Sequence, residues 1–292
     1  MSDTRRPPAA TPGGSPAEES STGESSTALT TPVDAAGPPR FLRVAEYHGR
    51  LYRRFWRGTL VSTILGPILY LVAMGVGVGS LVDDSPSADL GIPYVQFVAP
   101  GMMAAAAMQS AVAQSLYPVL ASVKWIRTAY GLAATPLRPI DIALGLQAWL
   151  VVQLLAAATI FLAVAGVAGA VRSPLALLAP FAAVLGGLAY SAGGSAWAVS
   201  RESEQSFQPI LRLGILPSFL LSGTFFPVSQ LPAVLEALAV ITPLWHAVSL
   251  VRGLTAGTVG AAAAAGHVAV LVAYVAVGLV AAARAYERRL YP

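Results

Sequence analysis

Cysteine is absent from the 292 residues. That excludes structural disulfides and thiolate metal sites, while saying little about compartment. Lysine occurs once, at Lys124, with Trp125 after it. A P-loop needs G-x-x-x-x-G-K-[ST], because backbone amides and the lysine together cradle the phosphates. The chain has no such motif, so any ATP-driven action must use another polypeptide. Histidine is also scarce, at three, and neither H-E-x-x-H nor the G-x-S-x-G elbow occurs. No catalytic, cofactor-binding or metal-ligating residue is therefore expected. Charge is the largest shortage: 11% of residues, against about 25% in soluble domains.

What fills the chain instead is apolar. Hydrophobic residues make up 55%, with a mean hydropathy of +0.66, more apolar surface than a soluble fold can hide. A spanning helix needs roughly 20 apolar residues. Such runs stand at about 59–82, 93–117, 140–170, 175–199, 210–226 and 262–284. The fifth is short. Its neighbour 227–254 is apolar but broken by Pro227, Pro232 and Pro243, which suits helices that enter the outer leaflet and return. The expected fold is all-α: six transmembrane helices, with re-entrant outer-leaflet helices between the fifth and sixth.

Orientation follows from the basic residues. Threading six spans alternately puts Arg43 to Arg57, Lys124, Arg127, Arg138, Arg201, Arg284, Arg288 and Arg289 on one side. Asp83, Asp84, Asp89, Arg172, Glu236 and Arg252 fall on the other. The positive-inside rule then makes both termini cytoplasmic. Seven spans would carry the Arg284–Arg289 cluster outside. The modest net charge of +4, gathered at alternate span ends, speaks for membrane orientation and not for nucleic acid.

Residues 1–40 are rich in Ser, Thr, Pro, Gly and Ala and bury too little apolar area to offset ordering entropy. A disordered cytoplasmic tail is expected there. Over 41–57, Phe41, Val44, Ala45, His48, Leu51, Tyr52 and Phe55 recur at helical spacing, with Arg43, Glu46, Arg50, Arg53, Arg54 and Arg57 opposite. This predicts a basic amphipathic helix in the headgroup layer, its arginines near anionic lipid. The permease domain proper would be 58–292.

Between the second and third spans the spacing predicts a short cytoplasmic helix over 119–134, stopped by Pro136 and Pro139. It carries Lys124, Trp125, Arg127 and Tyr130, which can rest at the interface or dock on a cytoplasmic motor. Glu202 and Glu204 mark the next loop on that side. The predicted span centres contain no Asp, Glu or His, as an ion-coupled pathway would require. Asp141 reads as an acidic helix N-terminus, and His246, beside Trp245, and His267 as residues near the outer leaflet. Glycines 75, 77 and 79, then 186, 187, 193 and 194, permit close helix approach.

The run Leu221–Leu254, LSGTFFPVSQLPAVLEALAVITPLWHAVSLVRGL, resembles the C-terminal signature of type-2 ABC exporter permeases. The nearest branch is that of nodulation lipooligosaccharide exporters and daunorubicin-type drug exporters. Ser222-Gly223, Phe226-Pro227, Leu231-Pro232, Pro243-Leu244, His246 and Arg252-Gly253 carry the resemblance, which extends more weakly over most of 41–290. It implies a bacterial inner-membrane half-transporter that dimerises and binds a separate ABC ATPase, where ATP and magnesium reside. The ATPase would be met by 41–57 and 119–134, through Arg50, Arg54, Lys124, Trp125, Arg127 and Tyr130, with Glu202 and Glu204 nearby. The outer gate would be Gly223, Phe226, Pro227, Leu231, Pro232, Pro243 and His246. Cargo would be hydrophobic or amphipathic, a drug or a lipid-linked saccharide, and the few aromatics favour the former. The alternative is an ATP-independent membrane scaffold or lipid sensor.

Overall fold

The computed structural model describes residues 39–53, 65–66, 68–78 and 91–291. Residues 1–38 of the expected tail, Arg54, residues 59–64, 67 and 79–82 of the first predicted span, and the acidic loop after it lie outside the described residues. The described chain is helical: α1 (Arg40–Tyr52), α2 (Tyr94–Lys124), α3 (Thr128–Ala133), α4 (Pro139–Val167), α5 (Ala179–Val199), α6 (Phe207–Ile210), α7 (Leu216–Leu221), α8 (Ala233–Ile241), α9 (Pro243–Ala256) and α10 (Ala261–Leu290). Among the described residues four helices are long and apolar enough to cross a membrane: α2, α4, α5 with its 3₁₀ lead-in from Pro174, and α10. The pair α8 and α9, bent by 83° at Thr242, makes a fifth if counted as one span.

The fifth expected span, 210–226, is not among these four helices. Pro209 and Pro217 each lack an amide proton, and a π-helical segment, Leu211–Ile215, separates α6 from α7. The continuous helical run 207–221 rises only about 22 Å, short of the roughly 30 Å hydrocarbon core. The second span departs from expectation in the other direction. Its helix continues through Pro118 to Lys124, although an interior proline costs about 3 kcal/mol. Val119, Leu120 and Val123 beyond it are all buried, and their packing outweighs one missing hydrogen bond. The predicted helix 119–134 is accordingly divided: its first turn belongs to α2, and only Thr128–Ala133 forms a loop helix.

The ends of the long helices alternate between the two ends of the bundle. At one end α2 and α10 finish and α4 begins: the Tyr291 hydroxyl donates to Leu137 O at 2.9 Å, and Arg40 Nη1 to Pro136 O at 2.9 Å. At the other end the Gln96 amide donates to Gly169 O at 3.1 Å. There too the Arg172 and Ser173 amides both reach Thr255 O. Asp141 behaves as read, its carboxylate accepting the Arg138 N–H at 2.9 Å to open α4.

α5 is the centre of the bundle, packed on α2, α4, α9 and α10. Its glycines explain why. A Cβ on Gly186 would meet Ala247 of α9, one on Gly187 would meet Leu154 and the Ala107 carbonyl, and one on Gly194 would meet Ser115. In lipid such close approach supplies much of the association energy. Gly193 alone faces open space. On the α10 side, a Cβ on Gly278 would lie 2.6 Å from Ala192 Cβ and 2.8 Å from the Gly193 nitrogen, most of it rigid backbone. Gly278→Ala should cost about 1–3 kcal/mol by overpacking, visible as a lower Tm in detergent. Gly166→Ala, where nothing lies within 4 Å, should leave Tm unchanged or raise it slightly.

Candidate functional site

Of the helix expected over 41–57, the described part is α1, with Val44 buried, Phe41, Ala45, His48 and Tyr52 half-buried, and Arg43, Glu46, Arg50 and Arg53 exposed. Leu51, placed on the apolar face by its spacing, is 50% exposed. Val44 sits where a Cβ on Gly145 would go, while Gly49 abuts Trp149 and the Tyr52 and Trp149 rings lie 5.3 Å apart. Val44 to Tyr52 covers about 12 Å of α1 but only one turn, about 6 Å, of α4. The amphipathic helix therefore crosses α4 obliquely. His48, enclosed between the helices, has its pKa lowered by burial. The Arg50–Glu46 pair, 2.6 Å and well exposed, contributes little by itself.

The loop residues converge near the same end of the bundle. Lys124 donates to the Glu202 carbonyl and lies 3.6 Å from its carboxylate. Arg289 of α10 pairs with the same carboxylate, and Tyr130 lies beside Arg289. Glu202 thus ties the end of α2 to the end of α10. Glu204 is exposed and takes no part. Between these, Trp125 and Ile126 are 56% and 68% exposed, and Arg127 holds a left-handed φ of 57°, uncommon for a side chain of its size. A cavity of about 300 Å³ separates α1 from the α2–α3 turn, lined by His48, Tyr52, Pro118, Thr128, Leu132 and Trp149 among others.

The hydrogen bond from Arg289, then its charge and that of Lys124, hold the Glu202 carboxyl below its ordinary 4.5. A depressed folded value means the clamp is whole above the ordinary carboxylate range and is lost as pH falls through the depressed one. Spin labels on Ile126→Cys and Tyr291→Cys, practical in a chain without cysteine, should give a distance distribution that broadens only when pH falls below the ordinary carboxylate range. Glu202→Gln should broaden it at neutral pH.

At the opposite end the signature run is non-helical from Ser222 to Pro227. Gly223 has φ +79°, and a Cβ there would strike Val228. The segment lies directly on α2: a Cβ on Gly101 would be 2.9 Å from Thr224 Cα, and the Tyr94 hydroxyl donates to Phe225 O at 3.4 Å. Phe226, Pro227 and Leu231 are half-buried, Pro232 caps α8, and Thr242-Pro243 sets the 83° bend. His246 Nδ1 lies 2.9 Å from His267 Nδ1, with Trp245 against both rings.

One decisive residue was underrated by sequence reasoning. Arg252, counted only as an outer charge and part of the signature, donates from Nη2 to Gly223 O at 2.7 Å and from Nε and Nη2 to Phe97 O at 3.2 and 3.1 Å. Its guanidinium lies 3.9 Å from the Phe97 ring centroid. A lone arginine in an apolar segment, with Gly223 at the turn it meets, was the available signal.

Residues 47–255 match the ABC-2 type transporter family. The chain belongs to that family. Among curated relatives of this ABC-2 type transporter chain, Nodulation protein J of Sinorhizobium fredii is 33% identical over 68% of this chain and 75% of its own. Nodulation protein J of Rhizobium leguminosarum bv. viciae is 30% identical over 80% and 90%, and that of Rhizobium meliloti 29% over 81% and 90%. No solved structure matches the chain. The signature resemblance is borne out, and the protein is a multi-pass membrane component of an ABC-2 type transporter.

Replacing Arg252 by Met keeps the volume and removes every donor. Leaving Gly223 O unsatisfied should cost about 1–3 kcal/mol. Thermal unfolding in detergent checks this, and limited proteolysis should cut at 223–231 before global unfolding.

Proposed function

We propose that the chain is the permease subunit of an ATP-driven exporter, its nucleotides and magnesium held by a separate ABC ATPase. It would work as a six-span half-transporter, paired with a second copy in a bacterial inner membrane, with both termini cytoplasmic. The observation that carries this reading is the ledge at the end of α2. Trp125 and Ile126 stand exposed beside Arg127 and Tyr130, where a soluble domain can cover them. Arg50 on α1 and, beyond the described residues, Arg54 would extend the docking surface, and Glu204 its rim.

Closure of an ATPase dimer would press on α1 and on the 125–133 turn. Glu202 joins that turn to α10, so one push reaches two membrane helices. The outer gate would be the segment on Gly223, Phe226, Pro227, Leu231 and Pro232, with Pro243 and His246 in the bent pair behind it. Its release would let cargo leave outward. The nodulation-protein relatives support an amphipathic cargo with an acyl chain and a saccharide head, as in lipooligosaccharides, ahead of a drug-like molecule.

The test is to co-express the chain with the ATPase encoded beside it, reconstitute the pair and measure vanadate-sensitive ATP hydrolysis. Activity should need both chains and fall by about tenfold in Trp125→Ala and in Arg127→Ala, a loss equivalent to about 1.4 kcal/mol, with normal membrane insertion. Failure to associate with any ATPase would return the reading to an ATP-independent scaffold.

A further inference from the structure

We infer that the groove between α5 and α10 is a binding site for one anionic phospholipid of the leaflet at the basic end of the bundle. The two helices touch at Gly278 and Ala192 and leave a cavity of about 820 Å³ between them, within the roughly 300–1,000 Å³ of small-molecule sites. Its walls are apolar for most of their length, formed by Ala189, Gly193 and Ala196 on α5 and by Val277, Ala281 and Ala285 on α10. The Tyr274 hydroxyl, bonded to Ile241 O at 2.8 Å, closes the far end.

The near end is basic. Arg284, Arg288 and Arg289 line it, with Trp197 and Ser200 opposite. Arg201 stacks 3.9 Å over the Trp197 ring, and its Nε has no hydrogen-bond partner among the described residues. Of these cations, Arg289 is taken by Glu202. Glu287 shares the helix but does not line the cavity. Arg284 and Arg288, one turn apart and both exposed, have no ion pair among the described residues.

The dimensions fit a lipid better than a soluble anion. From Tyr274 to Arg284 is ten residues, about 15 Å, half the roughly 30 Å hydrocarbon core. The apolar part is thus one leaflet deep and ends where headgroups lie, with an indole at the boundary as interfacial aromatics prefer. Basic pockets between spanning helices recognise anionic headgroups in this way. Charge complementarity selects the headgroup, and the apolar floor selects an acyl chain.

The test uses the full chain alone, in nanodiscs of equal phosphatidylcholine and phosphatidylglycerol with matched acyl chains, released for native mass spectrometry. Its failure therefore leaves the ATPase reading standing. One phosphatidylglycerol per chain should be retained in preference to phosphatidylcholine. Arg284→Gln with Arg288→Gln should weaken retention by about fivefold per arginine. Gly193→Leu, which fills open groove space and keeps every charge, should abolish the preference. Equal retention of both lipids, or a preference unchanged in the arginine variant, overturns the site. A preference that survives Gly193→Leu shows only diffuse attraction to a basic surface and overturns it equally.

Discussion

The Arg252 guanidinium is the interaction on which the end of the bundle around Gly223 rests. Backbone within lipid must find its hydrogen bonds inside the protein. The stretch from Ser222 to Pro227 has left the helical pattern that would supply them. Arg252 meets Gly223 O, the Ser222 and Thr224 hydroxyls bond one another at 2.8 Å, and Tyr94 reaches Phe225 O. Because the same arginine also binds Phe97 O and covers the Phe97 ring, the irregular segment and α9 are both fixed to α2. An apolar side chain at 252 could fill the space but satisfy none of these acceptors.

The glycines set the complementary constraint. Gly101, Gly186, Gly187 and Gly278 each lie where a methyl group would collide with a neighbouring helix or turn. Close contact of this kind leaves little slack, so displacement of one helix is felt by its neighbours. α5, touched on several sides, is the element least free to move alone.

Periodicity made the spanning helices and α1 legible, because lipid and protein each select side chains at 3.6-residue intervals. Val44 and Arg50 fall on the faces their spacing assigns. Local rules failed where packing outweighed them. Pro118 reads as a stop, yet Leu120 and Val123 beyond it are buried and the helix goes on. Hydropathy marks the run 210–226 as apolar but is blind to the π-helical segment between Pro209 and Pro217. Residues brought together from distant parts of the chain were the least visible. Glu202 reads as a solvated loop charge, and only the fold places Lys124 and Arg289 on it. The pairing of His246 with His267, 21 positions apart, is equally silent in the sequence.

α2 connects the two clamps. Its last residue, Lys124, holds Glu202, while its first turns, at Tyr94, Phe97 and Gly101, hold the non-helical segment from Ser222 to Pro227. A helix of 31 residues is about 46 Å long, enough to pass from one headgroup layer to the other. On the exporter reading, a push at Trp125 and Arg127 would reach the gate along this rod. Its two interior prolines are the points at which it can bend, since each removes a hydrogen bond from the ladder. Pro100 stands next to Gly101, at the contact with Thr224, so a bend there would act directly on the segment that Arg252 secures. Pro118 lies beside the cavity under α1, so the second weak point faces the space into which α1 would be pressed. The rod is therefore stiff through the centre of the bundle and compliant at the two prolines, where the exporter reading would need it to yield.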